Sequence, residues 1–139
     1  MSSRTKARKR ALDALFAADL TKESAIATLK RTESESRERE SQVAIFDYAE
    51  TLVNGYLNNQ DRIDSRLQGL AEGWTLERMP NVDRAILRIA AWELLYNEEI
   101  PSEVAIAEAV ALASELSTEE SPKFINGILA RLAKDRQGL

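Results

Sequence analysis

An all-α fold is what this sequence predicts, and three observations predict it. Only 5 glycines and 3 prolines interrupt 139 residues, while Ala, Leu, Glu and Arg, all good helix formers, recur throughout. Apolar residues return at spacings of three and four along most of the chain, the period of a helix face. No stretch alternates polar and apolar residues as a half-buried strand requires.

Residues 3–20 read as the first helix, with Leu12, Leu15 and Phe16 as its apolar stripe. Thr21 is placed to cap a second helix through Ile26 and Leu29. Residues 32–41, TESESRERES, offer nothing apolar to bury and read as an exposed connection. A long periodic segment follows, with Val43, Phe46, Val53, Tyr56, Leu57, Ile63 and Leu67 as core candidates, bending near residues 55–59 and ending at residues 69–73. Pro80 marks the start of a helix whose residues 82–96 are apolar on most sides, as in a central helix surrounded by neighbours. Pro101 and Ser102 open the next, which places Ala105, Ile106, Ala109, Leu112, Ala113 and Leu116 on one face and ends at Ser117 and Thr118. The last runs from Ser121 or Pro122 to about residue 136 and buries Phe124, Ile125, Ile128, Leu129 and Leu132.

This length suits one domain with a real core and leaves no room for a separate catalytic domain. The chain has no Cys and no His, which excludes thiol nucleophiles, disulfides, imidazole acid–base chemistry and the usual zinc or iron ligands. No run approaches the roughly 20 apolar residues of a membrane span. The basic N-terminus has no apolar run behind it to serve as a signal peptide, so a cytoplasmic address is expected. The net charge of -4 argues against nucleic acid as a partner, since phosphates must be met by Lys and Arg. The distribution argues otherwise. Residues 4–10 carry Arg4, Lys6, Arg8, Lys9 and Arg10 with no acid, whereas residues 89–122 carry eight glutamates and no Lys or Arg.

Three surfaces follow. At 100° per residue, Lys6, Lys9 and Arg10 share one side of the first helix and Arg4 and Arg8 another, either a solubilising terminus or an arm for phosphates. On the last helix Lys123, Gly127, Arg131 and Lys134 form a stripe opposite the core. A glycine inside a helix costs roughly 1 kcal/mol relative to Ala, so Gly127 suggests close approach of another helix or of a nucleic acid. Phe124, at the edge of that stripe, is either a core ring or a platform for an unpaired base. Glu108 and Glu115 lie outward beside Val104, Ala107 and Ala111, a solvated face or a dock for a basic protein. Glu93 shares a face with Val82, Ile86 and Ile89 and must be paired or hydrogen-bonded there. No nucleophile, metal ligand or phosphate loop accompanies it, so neither catalysis, a cofactor nor a metal is expected.

Three stretches, ARKRALDALF (7–16), AILRIAAWEL with PSEVAIAEAVALA (85–113) and KFINGILARL (123–132), in this order and spacing, resemble the NusB family over essentially the whole chain. The resemblance implies about seven helices in two packed helical-bundle subdomains, here about residues 1–75 and 76–139, forming a single RNA-binding domain. It implies a transcription antitermination factor that binds boxA single-stranded RNA of ribosomal-RNA transcripts with NusE, a small-subunit ribosomal protein, and joins RNA polymerase with NusA and NusG. Arg4, Lys6, Arg8 and Arg10 match or neighbour the family's arginine-rich motif, and Lys123, Phe124 and Asn126 match its last-helix motif; Lys9, Phe16 and Arg131 complete the expected RNA surface. Glu108, Ala111, Glu115, Glu119 and Glu120 would face NusE, with Glu93 and Gly127 in structural roles. Phe16 stands where the family often has Tyr, Asp13 where Gln is common, and Pro122 where a polar residue is frequent. Asp13 weakens the positive potential of Lys9 and Arg10.

Two alternatives compete. An RNA-binding domain of an rRNA cytosine methyltransferase would make this chain a fragment of a longer enzyme. A helical adaptor without RNA contact would associate, with itself as a homodimer or with others, through Trp74, Trp92 or the alanine-rich faces.

Overall fold

The computed structural model describes residues 2–36, 39–71 and 73–137, the side chains of Arg39 and Gln137 excepted. Among these residues there are seven α-helices and no strand: α1 (Ser3–Thr21), α2 (Ala25–Glu35), α3 (Val43–Asn58), α4 (Gln60–Leu70), α5 (Asn81–Tyr96), α6 (Ser102–Leu116) and α7 (Ser121–Gln137). Short 3-10 turns lie at Arg39–Gln42 and Leu76–Arg78. The chain forms two compact units, Met1–Asn58 and Asn59–Leu139.

In the first unit α1 packs on α2 and α3. The Ser2 hydroxyl accepts the Thr5 N–H at 3.1 Å and so caps α1. Lys22 ends it in the left-handed region, φ 64°, with its N–H donating to the Ala18 carbonyl at 2.9 Å. That turn leaves Thr21 inside α1, where its hydroxyl donates to Ala17 O at 2.9 Å, and the cap of α2 is Ser24, which accepts the Ala27 N–H at 3.3 Å. Thr21 is therefore not the cap that the sequence suggested. Nor are residues 32–41 wholly irregular, because α2 continues to Glu35. An outward-facing turn needs no apolar residue, and hydroxyls add local bonds there, from Thr32 to Thr28 O at 3.0 Å and from Ser34 to Arg31 O at 2.9 Å. Arg37 and Glu38 lie outside the described residues.

On α3 the buried stripe is Ile45, Phe46, Ala49, Leu52, Val53 and Tyr56. Each large side chain buried this completely contributes about 1.5–3 kcal/mol. Val43 and Leu57 fall off this stripe and are 49% and 38% exposed, so they are not core residues as expected.

The expected bend occurs at Asn59 (φ -128°), where α3 stops and α4 begins. The second unit surrounds α5 with α4, α6 and α7, and Ile86, Leu87, Leu94, Ile125, Ile128, Leu129 and Leu132 are sealed within it. Its start at residue 59, rather than near 76, follows from α4. Ile63 and Leu67 are 0% exposed, Arg88 of α5 grips both oxygens of Asp64 at 3.1 Å, and Arg66 pairs with Asp135 of α7 at 3.1 Å. On α6 the core face is Ala105, Ala109, Leu112 and Ala113. Ile106 is only half-buried and Leu116 is 38% exposed, both departures from the expected face.

Two polar devices hold the connections. Asp83 of α5, 3% exposed, accepts hydroxyl hydrogen bonds from Ser117 at 2.5 Å and Ser121 at 2.9 Å. Thr118 Oγ1 lies 2.7 Å from Ser121 Oγ, closing a ring of hydroxyls over the α6–α7 connection. At the far end, Arg136 donates to the Ile100 carbonyl at 2.9 Å and adds a second hydrogen bond, at 3.1 Å, to the Asn97 carbonyl, which already accepts the Ile100 N–H at 3.2 Å.

Candidate nucleic-acid interface

The basic cluster lies on the first turns of α1, in the first unit. Its two predicted sides behave differently. Arg4 and Arg8 both face α3, with guanidinium carbons 4.8 and 6.0 Å from the Tyr48 ring centre. Arg4 remains exposed, but Arg8 is only 3% exposed. A solvated phosphate arm is thus the wrong description of Arg8. Arg10 stacks on Phe46 at 5.3 Å, Lys9 and Phe16 are half-buried, and Lys6 is exposed. Such a contact engages the face of a guanidinium, whereas phosphate is gripped through its in-plane N–H groups.

Asp13 is exposed on the same helix. The protein around it still removes enough water to push its carboxyl above the ordinary 3.8, against the opposing pull of Arg10 and Lys9. A carboxylate amid these cations lowers the positive potential and is itself strained by its position.

The second unit carries the other predicted group. Lys123 and Asn126 are exposed on α7, Arg131 and Gly127 are half-buried, and Lys134 is exposed. A β-carbon placed on Gly127 meets nothing within 4 Å. Close packing by a neighbouring helix therefore does not explain this glycine. Phe124 is half-buried, not a sealed core ring, and meets the 51% exposed Trp74 edge-on with ring centres 6.2 Å apart.

Beside these rings lies a cleft of about 180 Å³, walled by the apolar Trp74, Met79, Pro80 and Phe124 and by the polar Asp83, Thr118, Glu120 and Ser121. That is room for roughly six waters at about 30 Å³ each. Sequence reasoning gave Asp83 no role and named Trp74 only as an association residue of an adaptor. The tryptophan's position in a loop was the one available signal, because a large aromatic residue outside a periodic segment has no core stripe to join.

The predicted acidic face is present. Val104, Ala107, Ala111 and Glu115 are exposed on α6, with Glu108 half-buried. Glu119 and Glu120 are exposed too, but Glu120 lines the aromatic cleft and does not extend the α6 face. Glu93 is 1% exposed and engaged there, as a buried carboxylate must be. No group of three or more acidic side chains among the described residues is arranged to hold a metal ion, and no described helix is long and apolar enough to cross a membrane.

The description "NusB family" matches residues 5–134. The chain is 51% identical to the transcription antitermination protein NusB of Paenarthrobacter aurescens (strain TC1), over 100% of its own length and 98% of that relative. Among solved structures, T. maritima NusB superposes with a TM-score of 0.83 at 33% identity, with 98% of this chain and 97% of that one covered. NusB in a crystal structure of antitermination factors NusB and NusE with dsRNA gives 0.82 at 25% identity, covering 97% and 98%.

Proposed function

Since the chain belongs to the NusB family, we propose that it is a transcription antitermination factor that binds boxA-type RNA together with NusE. It acts in the cytoplasm, as part of an RNA polymerase complex with NusA and NusG, by binding alone and without catalysis or a cofactor. The observation that carries this reading is the aromatic cleft on the second unit. A half-buried ring, Phe124, borders a cleft of base-accommodating size, and exposed Lys123 precedes it directly in the chain.

The positive charges of Lys6, Arg4 and Arg10 neutralise phosphates on one unit, those of Lys123 and Lys134 on the other. An unpaired base stacks on Phe124, and the Glu120 carboxylate and Thr118 hydroxyl accept from its amino edge. Because stacking needs a base out of its duplex, the single strand is the preferred ligand, even though the solved relative with NusE holds dsRNA. The exposed acidic face of α6 complements a basic protein, and NusE is the partner assigned to it.

Fluorescence anisotropy with boxA RNA, with and without NusE, tests the proposal. Binding is weak alone and clearly stronger with NusE, and a duplex of the same sequence competes poorly. Phe124→Ala removes one stack, about 1–3 kcal/mol or roughly five- to 150-fold in affinity. Lys6→Glu with Lys123→Glu abolishes binding and leaves the helical circular dichroism intact, since both side chains are exposed. Unchanged binding in these variants, or equal affinity with and without NusE, overturns the assignment.

A further inference from the structure

Gly127 sits mid-way along α7, where glycine is the poorest helix former after proline. The chain itself gives no reason for it, because a β-carbon there would enter open space. Gly69, which is equally uncrowded, lies near the end of α4, and Gly73 takes a positive φ of 80°. Gly127 alone among these three stands inside a helix that continues well past it.

Its neighbours along the same face are Lys123 four residues before, Arg131 four after and Lys134 seven after. Asn126 and Ala130 are exposed beside them. From Lys123 to Lys134 is about 16 Å along the axis, enough for several phosphates. Asp135, beside Lys134, is paired with Arg66, and the exposed Glu119 and Glu120 stand before Lys123 at the start of the helix.

We propose that Gly127 is kept without a side chain so that the sugar–phosphate backbone of bound RNA lies directly against α7, in a saddle between the ammonium groups of Lys123 and Lys134. This inference rests on the RNA-binding reading above and extends it from the aromatic cleft to the middle of the helix. The saddle meets the sugar–phosphate backbone and not the base edges.

The test is Gly127→Ala and Gly127→Leu in the full chain, with boxA RNA and NusE as probes. Gly127→Ala is expected to raise the melting temperature by about 2–6 °C, as a helix-interior glycine replacement should, yet to weaken RNA binding about five- to tenfold. Gly127→Leu weakens it further, while NusE binding measured without RNA stays at the wild-type level. The proposal is overturned by a lowered melting temperature, by RNA affinity unchanged in both variants, or by lost NusE binding without RNA, which would make the saddle a protein contact. If the unaltered chain fails to bind RNA even with NusE, the functional reading itself falls, and this inference with it.

Discussion

Replacing Asp83 by Asn isolates the hydroxyl ring that shapes the aromatic cleft. Asp83 is 3% exposed, and both its oxygens are used, one by Ser117 and one by Ser121. Asparagine keeps the volume but offers a single acceptor, so one hydroxyl must turn from donating to accepting an amide N–H. One hydrogen bond to a charged group, about 1.5–3 kcal/mol, is lost and the other weakens to a neutral one of about 0.5–1.5 kcal/mol. Relief from burying a charge offsets part of this. The expected net cost is about 1–3 kcal/mol, a fall in melting temperature of roughly 4–10 °C for a chain of this size. Thermal unfolding followed by circular dichroism measures it, and a double-mutant cycle with Ser121→Ala should show a coupling of about 0.5–3 kcal/mol. RNA binding should weaken with no change in its salt dependence, because the start of α7 loosens but no cation is removed. An Asp83→Asn protein that melts with wild type, or a cycle additive within about 0.3–0.5 kcal/mol, would refute the reasoning.

Tyr48→Leu removes the ring under Arg4 and Arg8, worth about 0.5–1 kcal/mol per cation–π contact. RNA affinity should fall a few-fold while Tyr48→Phe binds as wild type; equal impairment in both variants would point to the hydroxyl instead. Asp13→Asn concerns a carboxyl whose pKa is raised in the fold. Such a group costs stability above its folded pKa and nothing below its unfolded one, so the variant should melt higher at pH 7, with the advantage vanishing as pH falls to about 3.8. Its RNA affinity should rise about two- to fivefold, as expected for removing one solvent-screened negative charge beside two cations. Lys22→Gly relieves the left-handed conformation at the end of α1 and should stabilise by about 0.5–1 kcal/mol, seen as a later urea midpoint with an unchanged slope.

Elements whose apolar stripes face a core were legible in the sequence, as α5 and α7 illustrate with Ile86, Leu94, Ile128 and Leu132 all sealed. What faces water was harder, because solvent accepts helix and loop alike; hence the unexpected extension of α2 through Glu35. Asp83 carried no signal in the sequence, since its partners lie 34 and 38 residues downstream and only the closed fold brings them near. Charge placement was legible for Lys6 and Lys123. It failed for Arg8, because a helix projection shows direction but not the Tyr48 ring waiting on α3. Gly127 was visible as an anomaly in the sequence. The space around it was not.

Arg136 gives the carboxy-terminal turn a responsibility that tails seldom have. Its guanidinium reaches residues 36 and 39 positions upstream, so a protease clipping just short of it would unfasten a bend in the middle of the unit. The Ile100 carbonyl would then turn to water for its proton and that of Asn97 would keep only the Ile100 N–H, and deuterium should enter the amides around that bend sooner than the distance along the chain suggests.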